Sequence, residues 1–383
     1  MTISHWQADG TQPHRDVDVL IVGAGIVGCS AAYFAAQAGR EVVITEMRDV
    51  GLGASGRNAG FMITGLDTYY NRAIEHYGHN TVRELWALSK TTHGYWQDFA
   101  AKGNVKLDRC GSMLLAESAE EAEELRLSAD ALHADGIEVI YHDHDPLGRG
   151  YFAAIEQPWD CAVQPYELAR AVCQQSGAEL IANNELYGYE QTAQGVTVYT
   201  HRVIFHARKV LLCTNAYSPR IDPFFAGKVV PTRAQCLVTE PLETPLLNTC
   251  GYSDYGYMYY RMTFDNRLLI GGGRKNYKPL ENDTTEDRTT PEVQGALDNY
   301  LTRFFPEVTA PVARRWSGIM GFTPDKIPLV GTLPDKPDIG FAVGFTGHGL
   351  AFGAGTAERA VDHLLTGASV GALDARRTLR HLD

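Results

Sequence analysis

Residues 17–46 read VDVLIVGAGIVGCSAAYFAAQAGREVVITE. The apolar, β-branched run Val19 to Val22 has the composition of a buried parallel strand, and it meets Gly23-Ala24-Gly25-Ile26-Val27-Gly28 where the spacing predicts a helix start. The glycines have separate tasks: Gly23 permits the tight turn, Gly25 lets a pyrophosphate approach the backbone, and Gly28 lets helix and strand pack closely. A diphosphate then sits on free N–H groups at the positive end of the helix dipole. Gly39 ends that helix, and a second strand, Glu41 to Thr45, delivers Glu46 about twenty residues past the loop, where an acid binds ribose hydroxyls. A lone GxGxxG is weak evidence. Strand, helix, second strand and terminal acid at this spacing together point to a dinucleotide, and Glu46 would repel the 2′-phosphate of NADP.

With 383 residues the chain accommodates two domains with ordinary cores, and its 44% hydrophobic content fits a globular protein. A formal charge of −12 without any Lys/Arg-rich block argues against nucleic acid as a partner. Residues 19–39 carry no charge. Four glycines inside that run, Asp16 and Asp18 before it and the lack of a basic flank speak against a transmembrane span or a signal-peptide core, so the expected compartment is cytoplasmic. Seven cysteines (Cys29, Cys110, Cys161, Cys173, Cys213, Cys236 and Cys250) show neither CxxC nor metal-ligand spacing. They read as reduced core residues, which also argues against the disulfide-reductase class, and no metal site is expected.

Residues 1–15 are polar and read as a loose arm, with Trp6 as a possible anchor. After Glu46, the segment GLGASGRNAG (51–60) is too glycine-rich for a regular element; it reads as a second backbone cradle in which Ser55, Arg57 and Asn58 reach phosphate or ring atoms. Residues 67–101 read as helical, followed by a strand (Gly111 to Ala116), a helix with a solvated acidic face (Ala119 to Ala134) and a strand (Glu138 to Tyr141). His142-Asp143-His144-Asp145 invites a metal assignment, but four polar residues before Pro146 read more simply as an exposed turn. A helix from Tyr166 to Gln175 leads to Lys209-Val-Leu-Leu-Cys-Thr-Asn-Ala-Tyr217, whose end suits the crevice above the first sheet. The dinucleotide domain is therefore discontinuous.

Residues 226–305 read as a separate antiparallel sheet. Tyr257, Tyr259 and Arg261 alternate with Met258, Tyr260 and Met262, Asp265-Asn266 turns, and Arg267 to Gly271 returns, so two tyrosines and an arginine share one face as a pocket wall for a small polar molecule. A helix follows with Thr290 as N-cap and Pro291 at its first position. Phe341 to Phe345 is a strand, Thr346-Gly-His-Gly349 a tight turn and Leu350 to Leu365 a helix, whose N-terminus faces the same crevice and can stabilise negative charge on a bound ring. No second GxGxxG provides a separate NAD site.

Four motifs, GAGIVG with Glu46, GASGRNAGF (53–61), WSGIMGFTPDKIPLVG (316–331) and GFTGHGLAFG (344–353), resemble the D-amino-acid-oxidase-like FAD family of glycine and sarcosine oxidases. The GASGRNAG loop, the CTNAY strand and the YYRMTFDNRLLIGGG hairpin look most like its γ-glutamylputrescine oxidoreductase branch. The resemblance implies an α/β fold: a Rossmann-type FAD domain (16–100, 155–222 and 306–383) and an α+β substrate domain with an antiparallel sheet (101–154 and 223–305). It implies FAD on Gly23, Ala24, Gly25, Ile26, Val27 and Gly28; on Glu46, Met47 and Arg48; and on Ala54, Ser55, Arg57, Asn58, Ala59, Gly60 and Phe61. Leu186, Thr214, Asn215, Gly318, Phe345, Gly347, His348, Gly349 and Leu350 complete the implied set. Tyr257, Tyr259, Arg261, Met320 and His348 are the candidate catalytic and substrate-pocket residues.

The implied chemistry is oxidation of a C–N bond: the α-hydrogen of an amine moves as hydride to flavin N5, and water hydrolyses the imine to aldehyde and amine. Sarcosine oxidases attach flavin through a cysteine that would fall at Gly318, so FAD is expected to be non-covalent. The arginine and lysine that hold the substrate carboxylate in glycine and sarcosine oxidases would fall at Met320 and Ala351. With both absent, the expected substrate is a primary or secondary amine, or one whose carboxylate lies far from the reacting carbon near Arg261 or Arg274. A lysine that promotes reaction with oxygen would fall at Leu269, so O2 and another electron acceptor both stay open. The alternatives are a D-amino-acid or glycine/sarcosine oxidase or dehydrogenase and, in another class, a flavin-binding electron-relay subunit.

Overall fold

The computed structural model describes residues 12–379. Strands His14–Val22, Val42–Thr45, Glu179–Ile181, Ile204–Leu212 and Lys336–Val343 run parallel in one eight-stranded sheet. Val22 pairs with both Thr45 and Leu212, so the strands end together and open a crevice at their carboxyl ends. Leu186–Thr192, Gly195–Thr200 and Leu329–Leu333 complete the sheet as antiparallel strands. His14 and Arg15, expected in a loose arm, instead extend the first strand. They pair with Ile204 and Phe205, and Arg15 forms a 2.7 Å ion pair with Glu179. Trp6 lies outside the described residues.

One face of this sheet carries the helices Ile26–Gln37, His79–Lys102, Pro165–Ser176 and Gly349–Thr366. Ile26–Gln37 is buried from Ile26 to Ala32 because its Gly, Cys, Ser and Ala side chains let neighbouring helices approach closely. Gly355 does the same in the last helix, where a Cβ would lie 2.7 Å from the Leu88 side chain.

The second sheet has the strand order Val312–Phe322, Val230–Thr239, Leu268–Gly272, Met258–Met262, Cys250–Ser253, Ser112–Leu115, Ala154–Gln157, Ile140–His142. All neighbours are antiparallel except Cys250–Ser253 and Ser112–Leu115, which pair in parallel. Val312–Phe322 belongs to this sheet, although the sequence boundary at 306 grouped it with the FAD domain. Ten of its 11 residues, all but Ala313, pair with Val230–Thr239, and its far end meets the first sheet's crevice where Gly321 packs on Asn215. Ala154–Gln157 crosses the expected boundary for the same reason of pairing. On the sheet's outer face, Leu237, Met258, Tyr260, Leu268 and Ile270 pack against Leu297, Tyr300 and Phe304 of helix Pro291–Phe304. Thr290 precedes that helix without a side-chain cap bond; its hydroxyl donates to Glu281 instead, at 3.0 Å.

The acidic helix Ala119–Ala134 is not uniformly solvated. Ser118 caps it, whereas Glu121 is buried and accepts from the Tyr69 hydroxyl and the Tyr255 N–H. In the 142–145 turn, His142 bonds Glu156 at 2.9 Å, and Asp145 accepts backbone N–H groups of Leu147, Gly150 and Tyr151. Among the described residues no helix is long and apolar enough to cross a membrane, and no group of three or more His, Cys, Asp or Glu side chains is gathered to hold a metal.

Candidate active site

A long cleft starts at the crevice of the first sheet and ends on the inner face of the second. At its first end Gly23 adopts φ +106°, and a Cβ there would lie 2.8 Å from the Cys213 carbonyl oxygen. Gly28 leaves even less room, with its Cβ position 1.9 Å from the Gly23 oxygen. Gly25 differs: its backbone is ordinary, and a Cβ would meet only Ser55 Oγ, at 3.1 Å, on the cleft side. Turn, close packing and open approach are thus divided among the three glycines. Helix Ile26–Gln37 starts with no capping bond from its own Gly25 and no acid in its first turn, so its positive end is available to an anion. Glu46 accepts from Ala24 N (2.8 Å) and Arg48 N (2.9 Å), which fixes its carboxylate beside the loop with lone pairs to spare.

The second loop is braced from within. Ser55 Oγ accepts from Ile26 N at 2.9 Å, and Asn58 donates to the Ala54 and Ser55 carbonyls while accepting from Gly60 N. Arg57 donates to the Ser317 carbonyl and ion-pairs with Asp287 at 2.8 Å, passing under Gly318, where a Cβ would lie 3.2 Å from Arg57 Cβ. Sequence reasoning assigned these side chains to phosphate or ring atoms, whereas here their polar groups hold the loop's shape. All three still line the cleft, as do Met47, Arg48, Ala54, Ala59, Phe61, Leu186, Thr214 and Asn215. Gly60 and Ala24 do not line it but shape its backbone.

Asn215 joins three elements. Its Oδ1 accepts from Gly344 N at 3.0 Å, and it packs on Gly321. Gly344, Thr346 and Gly347 all have positive φ, and Thr346 N donates to Gly321 O at 2.8 Å, so the turn before helix Gly349–Thr366 is fixed to strand Val312–Phe322. Phe345, Gly347, His348, Gly349 and Leu350 line the cleft at this helix N-terminus, which has no acid in its first turn. His348 Nδ1 lies 3.1 Å from the Thr346 carbonyl oxygen, which accepts from it and orients the ring at the start of the helix.

The far wall is aromatic. Tyr252, Tyr257, Tyr259, Met320 and Phe322 line it with Phe61, whose ring meets Tyr252 edge-on at 4.9 Å. Tyr259 lies against Gly271, where no Cβ would fit, and burial raises its hydroxyl well above the ordinary tyrosine range. Arg261 does not reach the cleft. Its buried guanidinium donates to the Gly60 (3.1 Å), Val163 (3.0 Å) and Ala59 (3.3 Å) carbonyls, so it shares the face of Tyr257 and Tyr259 but ties the second loop to strand Cys161–Val163. Asp67, Tyr252, Phe322 and Cys236 line the cleft without having been singled out in the sequence. Tyr252 carried a signal in the aromatic-rich run 252–260; Asp67, 3.9 Å from His348 Nδ1, carried none. Cys236 and Cys213 bring thiols to the cleft even though position 318 is glycine; burial pushes both up to about 12, which leaves them protonated and unreactive at neutral pH.

A family model described as "FAD dependent oxidoreductase", DAO, matches residues 18–363. The chain belongs to the DAO family of FAD-dependent oxidoreductases. γ-Glutamylputrescine oxidoreductase of Escherichia coli (strain K12) is 27% identical over 355 residues, 87% of this chain and 80% of that relative. Two solved structures share the fold at 22% identity. Glycine oxidase from Geobacillus kaustophilus has a TM-score of 0.80 and covers 95% of this chain and 99% of its own. L-Proline dehydrogenase from P. horikoshii has a TM-score of 0.81 and covers 96% and 99%. The chain is therefore an FAD-dependent oxidoreductase acting on amines or amino acids. Its residues fit the cofactor: the helix end with no acid in its first turn and the open side of Gly25 suit a diphosphate, Glu46 suits a ribose, and among the described residues buried Arg48 Nε on the cleft wall has no partner.

Proposed function

We propose that this DAO-family enzyme oxidises a C–N bond of a primary or secondary amine, with FAD held non-covalently along the Gly23–Gly28 loop, Glu46, the 53–61 loop and the 345–350 turn. Bound FAD supplies a two-electron acceptor for the hydrogen on the carbon next to nitrogen. The observation that carries the amine reading is the cleft's far wall. Phe61, Tyr252, Tyr259 and Met320 make the part of it beside the 345–350 turn aromatic and apolar, and Ala351 is buried, so the two positions expected to clamp an α-carboxylate hold no cation.

The residues around the reacting centre position substrate and control charge. Phe61 and the tyrosines exclude water. Tyr259 keeps its proton because burial disfavours phenolate, so it orients the amine as a hydrogen-bonding group and is not a base. The N–H groups of Gly349 and Leu350 at the helix start, with His348 beside them, would hold the ring end of FAD and favour negative charge there. An amine bound neutral then needs no dedicated base, and the imine formed is hydrolysed to aldehyde and amine.

Purified holoenzyme is mixed anaerobically with putrescine, γ-glutamylputrescine, sarcosine and D-alanine while the flavin absorbance is followed. Bleaching fastest with an amine supports the proposal; bleaching fastest with D-alanine refutes it and assigns an amino-acid oxidoreductase. The similarity to γ-glutamylputrescine oxidoreductase puts that compound first among the amines. Reoxidation of the reduced protein in air identifies the acceptor: rates that keep pace with turnover assign an oxidase, and slower ones a dehydrogenase.

A further inference from the structure

We infer that Arg274 anchors an anionic group of the substrate, so that the amine oxidised here carries a carboxylate set apart from its reacting C–N bond. This rests on the amine reading above and names the substrate class for it.

The cations on the cleft wall separate by what already holds them. Arg57 is committed to Asp287 and the Ser317 carbonyl, and Arg48 stands at the Glu46 end, where its open Nε suits the cofactor and its terminal nitrogen donates to the Leu52 carbonyl. Arg220 is exposed, where water screens it. Arg261 is off the cleft and saturated by carbonyls, and Lys275 pairs with Asp254. Arg274 is different. It is half-buried on the cleft wall, and among the described residues its guanidinium has no hydrogen-bond acceptor or acidic partner. Two rings hold it instead, Tyr257 at 5.2 Å and Phe322 at 4.6 Å from centroid to guanidinium carbon.

Aromatic faces stabilise a cation and restrict its plane, but they do not accept the N–H bonds of a guanidinium. A planar donor so oriented is matched by a carboxylate, which accepts two parallel N–H bonds. The backbone supports this placement: Gly272 and Gly273 take φ +111° and +73°, turning the chain at the end of strand Leu268–Gly272 and setting Arg274 against Phe322.

Position sets the spacing. Met320 lies two residues before Phe322 on the same face of its strand and touches the 345–350 turn, with its Sδ 3.3 Å from the Cβ position of Gly347. Two residues of strand rise about 7 Å, so the ring that holds the guanidinium stands about that far along the wall from the residue that touches the His348 turn. An α-carboxylate, one carbon from the amine, does not cover that distance. A carboxylate three or four carbons away does.

Two substrate pairs of matched length test this on the holoenzyme: 4-(methylamino)butanoate against N-methylbutylamine, and 4-aminobutanoate against butylamine. Anaerobic flavin bleaching gives a second-order rate for each, and their ratio reports carboxylate recognition. The expected wild-type ratio is about 10- to 100-fold in favour of the carboxylate, from one charge-assisted bidentate contact. In R274M the ratio falls to near one, and R274K restores part of it. Binding of butanoate, which cannot be oxidised, gives a second readout: it perturbs the flavin band in wild type and not in R274M. Equal rates within each wild-type pair, or butanoate binding unchanged in R274M, overturn the anchor. If amines bleach the flavin without carboxylate preference, only the anchor fails. If D-alanine alone bleaches it, the amine reading fails, and the butanoate titration still decides Arg274.

Discussion

Replacing Arg261 with methionine separates two roles that the sequence leaves joined. The side chain is 4% exposed, and its guanidinium donates to the Ala59, Gly60 and Val163 carbonyls at 3.0–3.3 Å and to the Met262 carbonyl at 3.0 Å. Methionine fills much of the volume but offers no donor. Each buried carbonyl left without one costs roughly 1–3 kcal/mol. Gly60 O keeps the Val163 N–H, so the cost falls on the others, and local relaxation reduces it further. The expected loss is about 2–4 kcal/mol of stability. Because Ala59 lines the cleft next to this anchor, FAD affinity weakens as well. Chemical denaturation followed by tryptophan fluorescence measures the first effect, and titration of the apoprotein with FAD the second. KM for a carboxylated amine, measured at saturating FAD, should move by less than about threefold, since the group does not reach the cleft. Unchanged stability together with a KM raised tenfold or more would put Arg261 in the substrate site and refute the reasoning.

Three further outcomes follow from individual contacts. G23A places a methyl group 2.8 Å from the Cys213 oxygen at φ +106°, so FAD binding measured by titration should weaken at least about tenfold, with destabilisation of about 2 kcal/mol; wild-type affinity would show that the turn relaxes freely. H348A should retain FAD yet slow its anaerobic reduction about tenfold, as the loss of one polar group at the helix start predicts; an unchanged rate would leave His348 a turn residue only. Burial lifts the Asp160 carboxyl from 3.8 to about 7, against the opposing bonds from Ser112, Gln157 and Thr64. The folded state therefore keeps this proton to higher pH than the unfolded chain, and the associated stability, of order 4 kcal/mol, is full below about pH 4 and is lost as pH rises through about 7. Denaturation midpoints of D160N should lack that component, and parallel wild-type and D160N profiles between pH 4 and 7 would contradict it.

The parts of the site legible in the sequence are those whose chemistry is local. Gly23, Gly28 and Glu46 could be assigned because a strand, a turn and a helix within thirty residues dictate where a glycine or an acid must sit. That Tyr259 faces the cleft was readable because strand periodicity is two, whereas Tyr257 reaches the cleft from the turn that precedes strand Met258–Met262. The same alternation put Arg261 on that face, but whether its guanidinium meets substrate or backbone depends on strand Cys161–Val163, about a hundred residues away, and on the loop at Ala59. Glu121 was misread in the same way, because burial by Tyr69 and Tyr255 is not visible in a charged helical repeat. Residues 312–322 were grouped with the FAD domain because the strand they pair with at ten positions lies about eighty residues earlier.

The cleft is assembled by hydrogen bonds that join the two sheets, and this explains which cation is left for a ligand. Asn215 fixes the first sheet's edge to the 344–350 turn, Thr346 fixes that turn to Gly321, and Arg57 and Trp316 fix the second loop to the same strand, the indole donating to Arg57 O at 2.8 Å. Each of these bonds spends a polar group on alignment, to the precision that oriented reacting groups require. Arg57 and Arg261 are part of that structural set, and their charges are accounted for inside the protein. Arg274 sits on the same wall, oriented by two rings and left with unfilled donors. A guanidinium held in one plane by two rings, with its donors open to the cleft and no acceptor within the described residues, is the cation on this wall that is free to meet an anion entering there.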